Sequence, residues 1–482
     1  MNDLLRRLVA FLERELFLVL MLATYVGILA ALAPYELHQD SWLALVAGRD
    51  VFSHGPPAHD SLAVLTYGRT WIDQQWFAQL VLYATFSLGG LRLVLLLHLL
   101  MLGLAFALGM AGARRLGASA RSVFWVALVC LTLAPWGWQV RAQSLAYPLF
   151  AGVLWLLAAD SRAPSRRVFL AVPLLALWAN VHGSVVVGAA LVVLRGLTLL
   201  PRRPLRAAAL LASPVVLLLS PYGFSLAGYY RATIGNPLFA QVVQEWQPTT
   251  FSRASFFVVA AFASLWLLGR YGRRLRLFEQ GALVLSLALG VVAIRNVVWF
   301  ELAALVLVPL LVDEVWPRRL TAPRPSAVGK VLGVASAAAL VVVPAVFVSL
   351  PGRWFESKWP GGAATAVARV TRDDPSVRVF ADERYADWLL WRDPRLAGRV
   401  AYDVRFELLS RSQLMQIVRY HDRVGRSWAK PTRGFRLLVL DNESGPLVHA
   451  LESEQGAKRL YRDRQIVVLL RPRPSDRQLT SG

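Results

Sequence analysis

Cysteine is all but missing: the chain of 482 residues holds one, Cys130. No disulfide can form within the chain, and a cysteine-based metal site is excluded. Charge is scarce as well, at 17% of residues against 56% hydrophobic, with a mean hydropathy of +0.48. A soluble multidomain protein does not have that balance. Histidine is sparse, and no two histidines stand four apart on one helix face, so no metal or other cofactor is expected. Neither a Gly-rich phosphate loop nor a defensible Ser-His-Asp order is present.

What the chain has instead is apolar length. Runs near 15–34, 90–112, 122–138, 144–160, 168–181, 184–200, 205–220, 254–270, 279–294, 297–315 and 328–350 give about eleven membrane spans. The stretch 76–88 is shorter and reads as an interfacial helix or half of a bent span. A formal charge of +22 would suggest nucleic acid in a soluble protein. Here the arginines explain it by where they fall. They cluster between alternate runs: Arg114, Arg115 and Arg121; Arg162, Arg166 and Arg167; Arg202, Arg203 and Arg206; Arg270, Arg273, Arg274 and Arg276; Arg318, Arg319 and Arg324. That alternation is the positive-inside pattern, so these loops are read as cytoplasmic and nucleic acid is discarded as a partner. Residues 17–32 imitate a signal peptide, but Pro34 disfavours cleavage and further spans follow, so the segment is read as a retained first helix. With the N-terminus inside, an odd count puts the C-terminus outside.

The texture changes near Pro351. Apolar runs shrink to strand length at 377–381, 399–403, 435–441 and 465–472, with helical stretches at 382–391, 410–421 and 446–454. Alternating strands and helices predict a small α/β domain with a mostly parallel sheet. The expected fold class is therefore a polytopic α-helical membrane protein with a C-terminal extracytoplasmic α/β domain. Its expected boundaries are 1–350, including a first outer loop at 35–76, and 351–482.

That outer loop, YELHQDSWLALVAGRDVFSHGPPAHDSLAVLTYGRTWIDQQW, carries four aspartates and three tryptophans beside the bilayer. Asp40, with His38 and Trp42 beside it, is placed to act as a general base toward a hydroxyl, and equally to N-cap a helix over 41–52. Asp60 is a second carboxylate candidate, in a Gly/Pro turn. Other polar groups fall at span ends on the same expected side: Arg141 and Gln143, His182, Glu245 and Arg295. An arginine there offers a fixed fork for phosphate oxygens. Ionisable groups at such depth usually face a cavity or a partner.

The run from Asp40-Ser41-Trp42 through Gly55-Pro56-Pro57 and Asp60 to Trp76 resembles the first outer loop of bacterial polytopic proteins grouped with the GT-C class of glycosyltransferases. R-A-Q (141–143), W-A-N-V-H-G-S (178–184), S-P-Y-G (220–223) and E-W-Q-P (245–248) are similar to later pieces of the same proteins. So are V-F-A-D-E-R-Y-A-D-W-L-L-W and R-V-A-Y-D-V-R-F near the C-terminus. The resemblance spans nearly the whole chain. It implies a multi-pass protein of the bacterial inner membrane that takes a sugar from a polyprenyl-phosphate donor. The sugar would pass, with inversion, to an extracytoplasmic glycan, lipid or protein acceptor. It maps the expected base onto Asp40, with Asp60 second. Similar proteins often have an acidic residue just before the last tryptophan of the loop; here Gln75 stands there and the nearest acid is Asp73. Two other readings stand beside this one: a non-catalytic lipid-glycan transporter or cell-envelope assembly subunit, which would carry charge at midplane depth, and a polymer ligase relying on arginine and histidine.

Overall fold

The computed structural model describes residues 3–234, 241–316 and 327–472. The chain divides into two compact units. The first is formed by Met1–Glu36, Thr85–Leu226 and Phe239–Gly352, the second by Leu37–Ala84, Ala227–Leu238 and Arg353–Gly482.

The first unit is helical. Apolar helices occupy Leu16–Glu36, Leu91–Arg115, Ala120–Cys130, Tyr147–Arg162, Ala171–Val181 and Val185–Leu199. Pro204–Ala212, Ser255–Tyr271, Leu277–Val292, Val297–Val315 and Ala327–Ser349 continue the series. Each expected apolar run thus holds a helix, but length distinguishes them. Among the described residues 6 helices are long and apolar enough to cross a membrane. Ala120–Cys130 has only 11 residues and Val185–Leu199 15, so length alone does not support a count of eleven. Val297–Val315 is buried almost throughout, Glu301 and Asp313 included, as the central helix of the unit. Around its start Trp299 meets Phe150 at 5.2 Å, Tyr147 at 5.6 Å and Trp178 at 5.9 Å. Ala327–Ser349 is the opposite case, with Val331, Val341 and Val346 exposed as on a lipid-facing surface.

Charge in this unit collects at the helix ends. At one end Arg114 clamps Glu15, Arg162 clamps Glu279, and Arg195 with Arg206 holds Asp160. Asp313 there accepts from the hydroxyls of Ser119 and Ser122. These are the ends that carry the described arginine clusters, so those basic loops share one side of the bundle; the cluster of Arg318, Arg319 and Arg324 lies outside the described residues. The opposite ends are tied by Val140 N–H donating to the Glu36 carbonyl and Ile294 N–H to that of Gln247.

The second unit surrounds a four-stranded sheet: β1 Val379–Ala381, β2 Leu437–Asp441, β3 Lys458–Arg462 and β4 Ile466–Leu470, in the order β1-β2-β4-β3. Only β1 and β2 are parallel, and the other pairings are antiparallel, so the sheet is mixed rather than mostly parallel. The cause lies in the short turn between β3 and β4. Asp463 accepts from the backbone N–H of Gln465 and Ile466, and a two-strand turn that tight can only return antiparallel. β3 lacks an apolar run because it is a charged edge, as edge strands commonly are. The expected strand at 399–403 is an extended segment that bridges Val400 to both Val379 and Ala63. Helices Glu383–Arg392, Arg411–His421 and Gly445–Ser453 fall where expected. Phe380, Tyr402, Tyr420, Leu438, Leu451 and Val467 form the core.

The loop after the first helix belongs to this second unit, not with the membrane part as its position in the sequence suggested. Val64 N–H donates to the Val400 carbonyl, Leu65 N–H to that of Ala401, and Gly398 N–H to that of Leu62. The helix Gln39–His54 packs on Glu383–Arg392, with Arg49 donating to the Leu390 carbonyl and stacking over Trp391 at 5.3 Å. Where it meets Trp76–Gly89 a Cβ on Gly48 would stand 2.2 Å from the Gln79 carbonyl oxygen, so only glycine allows this approach.

Candidate functional site

In the second unit one of the expected carboxylates, Asp60, lies on a buried arginine that sequence reasoning did not single out. Arg405 grips Asp403 through Nε and Nη2, and its Nη2 also donates to Asp60 at 2.6 Å. Its guanidinium lies 4.2 Å over the Trp71 ring. Asp60 also accepts from Leu62 N–H at 3.0 Å and the Thr66 hydroxyl at 2.5 Å. Both Asp60 oxygens are thus engaged in folding the loop onto the 398–405 segment.

Asp40 lies in the first turn of Gln39–His54. The residue at the cap position is His38, so the capping role expected of Asp40 falls two residues earlier in the chain. An acid in that first turn is still favoured by the helix dipole. His38 N–H donates to Ser41 Oγ at 2.9 Å. Trp42 is fully buried, edge-on to Trp359 at 5.2 Å, and its role is packing.

Asp40 is within electrostatic reach of Asp387 and Glu407. Burial pushes the carboxyls of Asp73 and Glu407 up to about 7 each, and burial followed by the neighbouring Asp403 charge holds Asp387 well above the usual range. Asp73 accepts from Gln79 at 3.1 Å, while its other oxygen, one oxygen of Asp387 and Nη1 of Arg405 are buried without a hydrogen bond among the described residues. Carboxyls titrating near neutrality can take up or give a proton at physiological pH. The D-V-R spacing of Asp403 and Arg405 was the available signal for this cluster, but its partner Asp60 is 345 residues away.

In the first unit the remaining candidates converge. Arg141 donates through Nη1 to both oxygens of Glu245 at 3.0 Å and through Nη2 to the Trp136 carbonyl. Arg295 lies 4.4 Å over the ring of Trp246, the residue after Glu245. Among the described residues Arg295 makes no hydrogen bond and no ion pair. His182 is in electrostatic reach of both arginines. Its Nδ1 accepts from Ser184 N–H at 3.1 Å, and Ser184 Oγ, itself accepting from Trp178 Nε1, lies 2.8 Å from the same nitrogen. That chain assigns the proton to Nε2, leaving it as a donor. Gln143 is buried, with its carbonyl oxygen unpartnered among the described residues. Two guanidinium groups, one carboxylate and a neutral histidine in one cluster are suited to an anion carrying hydroxyl groups. Among the described residues no three His, Cys, Asp or Glu side chains are grouped as a metal site requires.

No family model and no curated relative matches the sequence. Among solved structures the chain is similar in fold to ArnT from Cupriavidus metallidurans bound to undecaprenyl phosphate. The match covers 92% of this chain and 97% of that one, with a TM-score of 0.51 and 15% identity. The apo form of the same protein matches over the same shares with a TM-score of 0.49 and 16% identity. The architecture is therefore the polytopic GT-C-like fold with a small C-terminal sheet.

Proposed function

We propose that the protein is a membrane glycosyltransferase that moves a sugar from a polyprenyl-phosphate donor to an extracytoplasmic acceptor with inversion. The observation that carries this reading is the cluster of Arg141, Glu245, Arg295 and His182, built at one set of helix ends in a chain with the fold of an undecaprenyl-phosphate-bound protein. Arg295 is the first partner of the lipid phosphate, because among the described residues no protein acceptor engages its donors. Arg141 joins to the extent that Glu245 yields its fork. Gln143 and His182 Nε2 offer an acceptor and a donor to the hydroxyls of the donor sugar.

Asp40 is the proposed base. It takes the proton of the acceptor hydroxyl as that oxygen bonds to the anomeric carbon. The bond from that carbon to the phosphate oxygen breaks, and its electron pair leaves on polyprenyl phosphate, where arginine stabilises the charge. The placement of the arginine ion pairs in the first unit supports an enzyme over a transporter: among the described residues they lie at helix ends rather than along the bundle. The protein is accordingly expected in the bacterial inner membrane, with the second unit outside the cytoplasm.

The test is binding of undecaprenyl phosphate to the purified protein in detergent. Arg295→Gln should weaken it about tenfold or more, the size of a lost charge-assisted contact. No binding, or unchanged binding in both Arg295→Gln and Arg141→Gln, would overturn the assignment.

A further inference from the structure

The second unit contains a groove of about 390 Å³ that the reaction above does not use. Its walls are the helix Gly361–Asp373 and the run from Glu383–Arg392 into the turn Pro394–Leu396. Four arginines line it as two pairs three residues apart: Arg369 with Arg372 on one wall, and Arg392 with Arg395 on the other. Spacing of three puts both members of a pair on one face of their helix or turn. Behind the arginines the buried side chains of Val367, Leu389 and Leu396 close its base.

The four arginines are not equally available. Arg395 is held by Asp393 through two bonds of 2.8 Å, and Arg392 pairs with Glu356 at 3.2 Å. Arg369 and Arg372 make no hydrogen bond or ion pair among the described residues; Arg372 only feels the Asp393 charge. With Asp373 as the other lining acid, the groove carries four positive and two negative side chains, a net of two positive charges. Exposed guanidinium groups with no partner among the described residues are poor packing elements, since an exposed pair contributes little even when it forms. They are good anion binders, because a planar fork meets phosphate oxygens two at a time. The volume lies in the range of small-ligand pockets and suits one or two sugar rings.

We propose that this groove binds a phosphorylated sugar, with the phosphate on Arg369 and Arg372 and the ring in the space between the two walls. The phosphate can belong to a free sugar phosphate or to a lipid headgroup, and the two sources are separable by experiment. The inference does not depend on the transferase reading, because it is tested by binding alone.

The full chain is placed in phosphatidylcholine nanodiscs and titrated with glucose 6-phosphate, with inorganic phosphate and glucose as comparisons. Saturable binding is expected, tighter for glucose 6-phosphate than for phosphate, and lost about tenfold or more in Arg369→Gln/Arg372→Gln. Both positions are exposed and glutamine suits a helix, so that variant should melt like the wild type. Arg419→Gln, another exposed arginine of this unit, should bind normally. Nanodiscs containing phosphatidylglycerol divide the sources: if the headgroup is the ligand they suppress the glucose 6-phosphate signal, and otherwise they leave it. Absence of saturable binding, or equal loss in Arg419→Gln, overturns the proposal.

Discussion

Asp60 and Asp382 show how differently two buried aspartates behave. Asp60 is one of two carboxylates on a buried arginine, so deleting it leaves Asp403 to balance the guanidinium, and the loss falls on the Leu62 N–H and Thr66 hydroxyl that Asp60 accepts from. Asp60→Ala should cost about 1–3 kcal/mol for each donor left unmet in thermal unfolding, and Asp60→Asn, which still accepts, less. A lost activity in Asp60→Asn with unchanged melting would instead make Asp60 chemical. Asp382 accepts from Asp441 N–H at 2.8 Å, yet its other oxygen has no hydrogen bond among the described residues, and burial pushes its carboxyl to about 8. The folded chain therefore keeps a proton that the unfolded chain, with a carboxyl near 3.8, has lost. Stability from this group is full below about pH 4 and falls as pH rises towards 8. Asp382→Asn should flatten that decline, read as melting temperature from pH 5 to 9; an unchanged slope would refute the argument.

At the scale of elements, Gly48 is the sharpest test of how the first outer loop is built. A methyl group there must displace the Gln79 backbone, so Gly48→Ala should lower the melting temperature by several degrees despite alanine's better helix propensity. A neutral or stabilising outcome would mean the two helices can part. The same packing bears on residues 355–475 expressed alone. They would lack the 62–65 segment, Asp60 under Arg405, and Trp42 against Trp359, and should not melt cooperatively unless residues 37–84 are supplied. The helices of both units and the strands at 377–381, 435–441 and 465–472 were legible because each is an apolar run of the right period. β3 was not, since an edge strand reading Lys-Arg-Leu-Tyr-Arg has no such run. Arg141, Glu245, His182 and Arg295 were each singled out at span ends, but the Arg141–Glu245 pair, 104 residues apart, left no local pattern. Arg405 was missed because a partner distant in sequence leaves no local pattern.

For the whole molecule, connectivity and charge argue together. In the first unit the ion pairs of the arginine-rich ends lie on one side, and the helix Ala327–Ser349 begins beside Leu12 and ends where Arg92 donates to the Val348 carbonyl. Reporter fusions after Arg121, Arg203 and Arg276 should therefore read cytoplasm and a fusion at Gly482 the outside; a cytoplasmic Gly482 would refute that topology. The most direct test of the account is release of polyprenyl phosphate from a polyprenyl-phosphate-linked radiolabelled sugar, in proteoliposomes supplied with envelope glycolipid as acceptor. Wild type should release it with transfer of label. Asp40→Asn, which keeps the shape of the side chain and removes only its ability to take a proton, should be slower by about 10²–10⁴-fold at unchanged melting temperature. Full-rate release by Asp40→Asn would contradict the account and leave the first outer loop as architecture.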